Sequence, residues 1–337
     1  MEQIIKLMAL MDRPAFCAEN GLVAAANDAA RSLQIVPGRP VEGLLATGRE
    51  EYREFQSGCL GLELDLDGQL LPAAVTMVGA HPLFTLEPRQ AEEELRILAL
   101  ASQALREPLA DVMALAEALP PDSEQAAGIS RGLHRILRLV GNMTAHPLPR
   151  MELVDVNEIM RELWDRVQPA CDRLGIPFRF TPDPMPVYTC ADGSMLTRAV
   201  HNLLSNAMKS RTDGELHLQV SCSRSTGRYR ISLTSPGTLP DGSADPFSRC
   251  LREPGTGSPG DGLGLGMRLV RSTATAHGGA ALLHVPAPGT VCATLSMPLR
   301  QKTAGLRSPR LHISYTGEHD PMLVELSDVL PPEFYRE

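Results

Sequence analysis

The stretch "TRAVHNLLSNAMKS", residues 197–210, constrains this chain more than any other. Leu196, Ala199, Val200, Leu203, Leu204, Ala207 and Met208 recur at helical spacing, so the segment is a helix with an apolar face against a core. Asn202, Asn206 and Lys209 fall at i, i+4 and i+7 and share another face. Asparagine is a poor helix former, so two of them in mid-helix need a reason. Two amides and an ammonium in one row are suited to holding a polar or anionic group.

The chain around this helix has 337 residues, which suggests two or three domains. Hydrophobic residues make up 43% and aromatic ones only 4%, so Leu, Val, Ala and Met must fill the cores. The formal charge of −8 argues against a general nucleic-acid binder. No apolar run reaches the roughly 18 residues of a membrane helix. The opening "MEQIIKLMALMDRP" reads as the first helix of a domain rather than an export signal. Seven cysteines without a C-x-x-C pair fit a reducing compartment and no structural zinc. The expectation is a cytoplasmic protein with no membrane or nucleic-acid partner.

Residues 1–89 read as a small mixed domain. "PAFCAENGLVAAANDAARSLQI" gives a strand, a turn at Asn20-Gly21, a second strand, and a helix opening near Asn27-Asp28. "GLELDLDGQLLPAAVTMVG" alternates apolar and polar residues and turns at Asp67-Gly68. "HPLFTLEP" is a last strand. Residues 90–146 give two amphipathic helices separated by Pro120-Pro121, the second with Ile129, Leu133, Ile136, Leu137, Leu139 and Val140 at helical spacing. Such a hairpin cannot bury its stripes alone. Two copies make a four-helix bundle, so a homodimer is expected. Residues 147–300 read as an α/β domain that contains the asparagine helix. Residues 301–337 are a polar tail with an apolar stripe, Met322, Leu323, Leu326, Val329 and Leu330, that docks on the chain's own sheet or on a partner.

A second motif lies downstream. In "GSPGDGLGLGMRLVRSTATAHGG", Gly260, Gly262, Gly264 and Gly266 alternate with other residues and run into a helix. Glycines let backbone N–H groups approach an anion, and a helix N-terminus adds a positive field. Together with the asparagine helix this resembles the ATP-binding domain shared by histidine kinases, gyrase-type ATPases and Hsp90. Asn202-Leu203-Leu204-Ser205-Asn206-Ala207-Met208-Lys209 is similar to the family's N box, N-L-x-x-N-A-x-K. Asp245-Pro246-Phe247 is similar to its F box, and Gly260-Asp261-Gly262-Leu263-Gly264-Leu265 to its second glycine box. Asp192 sits where that family begins its N-box helix. The resemblance implies an α+β multidomain chain: a PAS-like sensor, a dimerisation hairpin forming a dimeric four-helix bundle, and an α/β sandwich of the histidine kinase/Hsp90 (Bergerat) type. It also implies Mg-ATP as cofactor, with Asn206 binding Mg²⁺ through its amide oxygen and Asn202 and Lys209 facing the phosphates. Mg²⁺ takes oxygen ligands and bridges phosphates, so one amide suffices. The gyrase branch carries a glutamate base where Asn202 stands, so the kinase branch fits better.

Two departures from the family pattern bear on function. The phosphoacceptor motif H-E-x-R-T-P-L is matched by Gln103-Ala104-Leu105-Arg106-Glu107-Pro108-Leu109. A glutamine amide nitrogen is not nucleophilic, so Gln103 cannot take the phosphoryl group. In the first glycine box, D-x-G-x-G, alignment on Leu239-Pro240 puts Thr234 at the adenine-binding aspartate and replaces both glycines. A charged acceptor contributes about 1.5–3 kcal/mol against about 0.5–1.5 for a neutral one. The loss weakens ATP about 5- to 30-fold, with Ser235 as a substitute acceptor. The expected nucleotide-binding set is Asn202, Asn206, Lys209, Thr234, Gly260, Gly262, Leu263, Gly264 and Leu265. Among the histidines, His134 is expected on the bundle surface, His201 in solvent and His277 in a structural role.

Three functions fit these residues. One is a catalytically degenerate kinase-like regulator acting on a response regulator or another kinase. The second is an enzyme with altered chemistry, phosphorylating a partner's histidine or using Gln103 to orient water as a phosphatase. The third is a non-catalytic PAS-type ligand sensor or binding module.

Overall fold

The computed structural model describes residues 1–87, 100–101, 104–105, 108–116, 124–143, 149–239, 245–247, 265–300 and 319–336. The first unit opens with helix α1 (Glu2–Ala9) and strands β1 (Ala15–Glu19) and β2 (Leu22–Ala26), followed by α2 (Asp28–Ser32) and α3 (Arg49–Glu54). Strands β3 (Cys59–Leu66), β4 (Gln69–Val78) and β5 (His81–Leu86) complete it. The turns fall where expected: Asn20 and Asp67 both take positive φ, each followed by a glycine that does the same. Asn27 caps α2 by accepting from the Ala30 N–H. Phe16 and Phe84 stack at 4.4 Å in the middle of this core.

The helical hairpin is described over α4 (108–116) and α5 (Glu124–Met143). Leu109, Met113, Leu133 and Leu137 share one small core. Leu105, Val112, Leu115, Ile129 and Ile136 remain exposed, leaving an apolar face outside it.

The α/β unit contains β6 (Glu152–Asp155), α6 (Val156–Arg173), β7 (Phe178–Thr181), β8 (Tyr188–Ala191) and α7 (Gly193–Ser210). Strands β9 (Leu216–Ser223) and β10 (Arg228–Pro236), helix α8 (Leu265–Ala276), and strands β11 (Ala280–Ala287) and β12 (Thr290–Pro298) follow. Helices α6, α7 and α8 cover one face of the sheet, giving the largest core. Helix α7 is the asparagine helix. Asp192 caps it, accepting from the Ser194 and Met195 N–H groups. His277 holds that cap in place. Its Nε2 accepts from the Asp192 N–H at 2.9 Å, and its Nδ1 donates to the Thr273 carbonyl at 2.7 Å. The mixed α/β fold expected from the sequence is observed.

One feature is not local enough for the sequence to announce. The two sheets are one, ordered β2-β1-β5-β4-β3-β11-β12-β10-β9-β7. β3 pairs antiparallel with β11 through Gly61↔Ala281, Leu60↔Leu282 and Cys59↔Leu283. Ion pairs reinforce this junction. Glu87, just after β5, is buried against Arg271 of α8 at 2.5 Å and reaches Arg268 at 3.4 Å. Arg13 lies 3.6 Å from Asp245, whose Oδ1 accepts from the Phe247 N–H. Phe247 is fully buried.

Glu87→Gln tests this junction. Breaking one partner out of a buried ion pair typically costs about 3–5 kcal/mol, because it strands the other charge. Urea unfolding should show a loss of that order. Glu54→Gln, which removes the exposed pair with Arg230 at 2.6 Å, should shift stability by under about 1 kcal/mol.

Candidate nucleotide site

The polar row on α7 forms as the spacing predicts. Asn202 and Lys209 face one and the same segment of chain. Asn206, between them, is half-buried, and its side-chain amide makes no hydrogen bond among the described residues. The N-terminus of α8 meets α7 here. A Cβ on Gly266 would stand 2.9 Å from Asn202 Oδ1, so a larger residue there would require the Asn202 amide to shift. Leu265 opens that turn and is buried. Gly260, Gly262, Leu263 and Gly264, expected to cradle the phosphates, lie outside the described residues, as does Gln103.

What faces Asn202 and Lys209 is the chain's own C-terminal segment. Helix α9 (Pro321–Glu325) and the turns after it lie across α5 and α7. Val324 enters the core of the hairpin, while Leu326, Leu330 and Tyr335 enter the core of the α/β unit. The tail is therefore docked on its own chain. Glu325 is completely buried. One of its oxygens pairs with Arg198 Nε at 3.0 Å; the other accepts from Asn202 Nδ2 at 3.0 Å and faces Arg138 Nε at 3.3 Å. Asp328 pairs with Arg138, with Arg135 at 3.1 Å, and with Lys209 Nζ at 2.5 Å. Arg138 Nη2 also donates to Asn202 Oδ1 at 3.3 Å, and Arg198 Nη2 to Asn142 Oδ1 at 2.9 Å. Burial alone would raise the Asp328 carboxyl, but Arg138 and Lys209 outweigh it and hold the group below its ordinary range.

Three expectations change. Thr234 is misplaced at the adenine end. In β10, Ile231, Leu233 and Ser235 are buried on the face toward the helices, and Thr234 points to the opposite face beside His217 and Cys292. The period of two in a strand forbids it from sharing the α7 side with its neighbours. Gly237 fixes the register independently. Its φ is +153° and a Cβ would lie 3.0 Å from the Ser210 carbonyl, so this is a position that needs glycine. Leu233 and Ser235, the residues of this stretch on the helix side, carry no carboxylate. Ser235 is the nearest helix-side hydroxyl.

The other two concern histidines. His201 is buried, not solvated, because α7 packs between the sheet, α8 and the tail. Neither of its ring nitrogens has a hydrogen-bond partner among the described residues. Burial pushes its imidazole down to about 4. His134 is buried too, with Nδ1 at 2.8 Å from the Ser130 carbonyl and its ring near that of Tyr335. The signal missed was in the tail: Glu325 and Asp328, three apart, interrupt an otherwise apolar run.

The residues fit a magnesium–triphosphate group better than they fit adenine. Asn206 offers an oxygen ligand, and Lys209 and the start of α8 offer positive charge. Asn202 is fully buried beneath Glu325, and none of Leu233, Thr234 and Ser235 brings a carboxylate to the adenine end.

Residues 191–301 match the family described as histidine kinase-, DNA gyrase B- and HSP90-like ATPase. The chain is similar to the sensor protein CutS of Streptomyces coelicolor, 31% identical over 131 residues, which is 37% of this chain and 31% of that protein. It is also similar to the sensor-like histidine kinase SenX3 of Mycolicibacterium smegmatis, 28% identical over 219 residues, 60% of this chain and 56% of that one. The sensor histidine kinase CusS of Escherichia coli K12 is 29% identical over 146 residues, 42% of this chain and 30% of its own. The chain thus spans about a third to a half of the length of these relatives. Among solved structures, full-length ShkA in complex with AMPPNP superposes with a TM-score of 0.50 at 24% identity, covering 63% of this chain and 47% of that one; at that identity the likeness is one of fold. Among the described residues, no helix is long and apolar enough to cross a membrane.

The pH response of the site has a definite sign. His201 has its pKa lowered in the folded state, so its stabilising contribution is complete above its ordinary value of 6.5 and is lost as pH falls toward about 4. Thermal unfolding should therefore show falling stability between pH 7 and 5. His201→Leu should flatten that slope.

Proposed function

We propose, for a chain whose residues 191–301 match the family described as histidine kinase-, DNA gyrase B- and HSP90-like ATPase, that the protein is a regulatory dimer of two-component signalling that has lost autophosphorylation. The observation that carries this reading is a contrast within one pattern. The phosphate row Asn202, Asn206 and Lys209 is kept, while Gln103 stands at the phosphoacceptor histidine and none of Leu233, Thr234 and Ser235 brings a carboxylate to the adenine end. Mg²⁺, where bound, would be held by the Asn206 amide oxygen and would supply positive charge against the phosphates. Binding of Mg-ATP is weak, because adenine meets no carboxylate. Nothing on Gln103 can accept a phosphoryl group, since its nitrogen lone pair is delocalised.

Residues 1–89 act as a PAS-like sensor, and 90–146 as the dimerisation hairpin. The exposed stripe of Leu105, Val112, Leu115, Ile129 and Ile136 supports pairing with a second copy. Partners are a response regulator or another kinase, in the cytoplasm. A phosphatase role at a response regulator has one residue in its favour, because the Gln103 carboxamide is able to orient water.

Radiolabelled ATP tests the reading. The wild-type chain should take up no label, alone or with the Mg²⁺ concentration varied, and label on it would overturn the loss of autophosphorylation. Label passing to an added kinase's histidine domain would favour phosphotransfer in trans. Accelerated decay of a phosphorylated response regulator would favour the phosphatase. Light scattering should give twice the chain mass of 36.4 kDa, and a monomer would refute the bundle.

A further inference from the structure

We propose that the C-terminal segment, residues 320–335, and the phosphates of Mg-ATP are mutually exclusive occupants of one cationic site on α5 and α7. The proposal rests on the reading of α7 as a nucleotide site and assigns its regulation. Arg135 and Arg138 of α5 and Arg198 and Lys209 of α7 converge there, and Glu325 and Asp328 fill the space between them.

Exclusion follows from the bonds already made. Both Nδ2 protons of Asn202 are used, one on the Arg198 carbonyl at 3.1 Å and one on Glu325. Its Oδ1 is held by Arg138. No phosphate reaches Asn202 while Glu325 covers it. Lys209 lies 2.5 Å from Asp328, so a phosphate drawn to that ammonium is set against a carboxylate of the same sign. The two anions repel, and either the tail or the nucleotide leaves.

The tail is also a latch. Val324 sits in the core of the hairpin and Leu326 and Leu330 in the core of the α/β unit, so the segment fastens one to the other. Arg131 of α5 also holds it, donating to the Ser327 carbonyl at 3.1 Å and the Asp328 carbonyl at 3.3 Å. Displacement of the tail by nucleotide would remove this fastening and leave the hairpin held to the α/β unit by direct bonds such as Arg138 to Asn202 and Arg198 to Asn142. Apparent affinity is then the intrinsic affinity reduced by the fraction of molecules with the tail off.

The experiment uses the full chain, wild type, Arg131→Ala and Asp328→Asn. Mg-ATP affinity is measured by calorimetry, and amide hydrogen exchange is followed with and without Mg-ATP. Arg131→Ala loosens the tail without touching Asn202, Asn206 or Lys209, and it keeps the test valid should Asp328→Asn unfold. Both variants should bind Mg-ATP about tenfold or more tightly than wild type, and Mg-ATP should speed exchange at Val324, Leu326 and Leu330, whose N–H groups bond within the docked segment. Equal affinity in all three proteins, with exchange unchanged by Mg-ATP, overturns the exclusion and leaves the nucleotide site standing. No binding by any of the three at several millimolar overturns the nucleotide reading itself, and the competition with it.

Discussion

A carboxylate with no exposure to solvent sets the terms for the rest of this molecule. Glu325 lies between Arg138 and Arg198, on helices more than fifty residues apart in sequence, and also accepts from Asn202. Arginines brought together without an anion repel each other, so α5 and α7 do not settle in this arrangement by apolar contact alone. Such a buried network is weak as a source of net stability, because the desolvation of each charge offsets much of the attraction. Its effect is on specificity: only one docking of the tail satisfies Arg138, Arg198 and Asn202 together. Val324 and Leu326, on either side of Glu325, then fall into two different cores.

A second set of charges ties the first unit to the same place from the opposite end. Glu87 pairs with Arg271 and Arg268 on α8, and the β3–β11 pairing runs beneath them. Gly266, at the start of α8, touches Asn202 on α7. Helix α8 therefore has the first unit on one flank and the polar row on the other. A shift of β5 that moved Glu87 would pull on Arg271, and through α8 it would change the close approach of Gly266 to Asn202. The shared sheet is a direct route between the two units, in addition to any route through the hairpin.

Much of this was legible in the sequence wherever the determining contacts are local. The turns at Asn20-Gly21 and Asp67-Gly68, the caps Asn27 and Asp192, and the row on α7 are each set within a few residues. The joining of the sheets was not legible, because the register of Gly61 against Ala281 depends on tertiary placement across more than two hundred residues. His201 was misjudged because the side of α7 it occupies faces a tail that docks from 120 residues away. Thr234 was misjudged by one residue. Aligning on Leu239-Pro240 ignored the glycine that the backbone requires at 237, and in a strand a one-residue error exchanges the faces. The tail was seen as an apolar stripe, and its two carboxylates went unread.

The docked tail also changes what a motif match means at each position. Asn202 and Lys209 have bonding partners within the chain, so their presence is accounted for by the fold of this protein with no nucleotide at all. Asn206 is different. It sits one turn from each, half-buried, in a helix for which asparagine is a poor choice, and its amide makes no hydrogen bond among the described residues. Packing offers no reason for an amide there, since alanine or leucine would suit the helix better. An oxygen ligand for Mg²⁺ does offer one. Whether a chain of this kind has kept its nucleotide is therefore best judged at Asn206 and not at the two residues beside it, which the tail would hold in place either way.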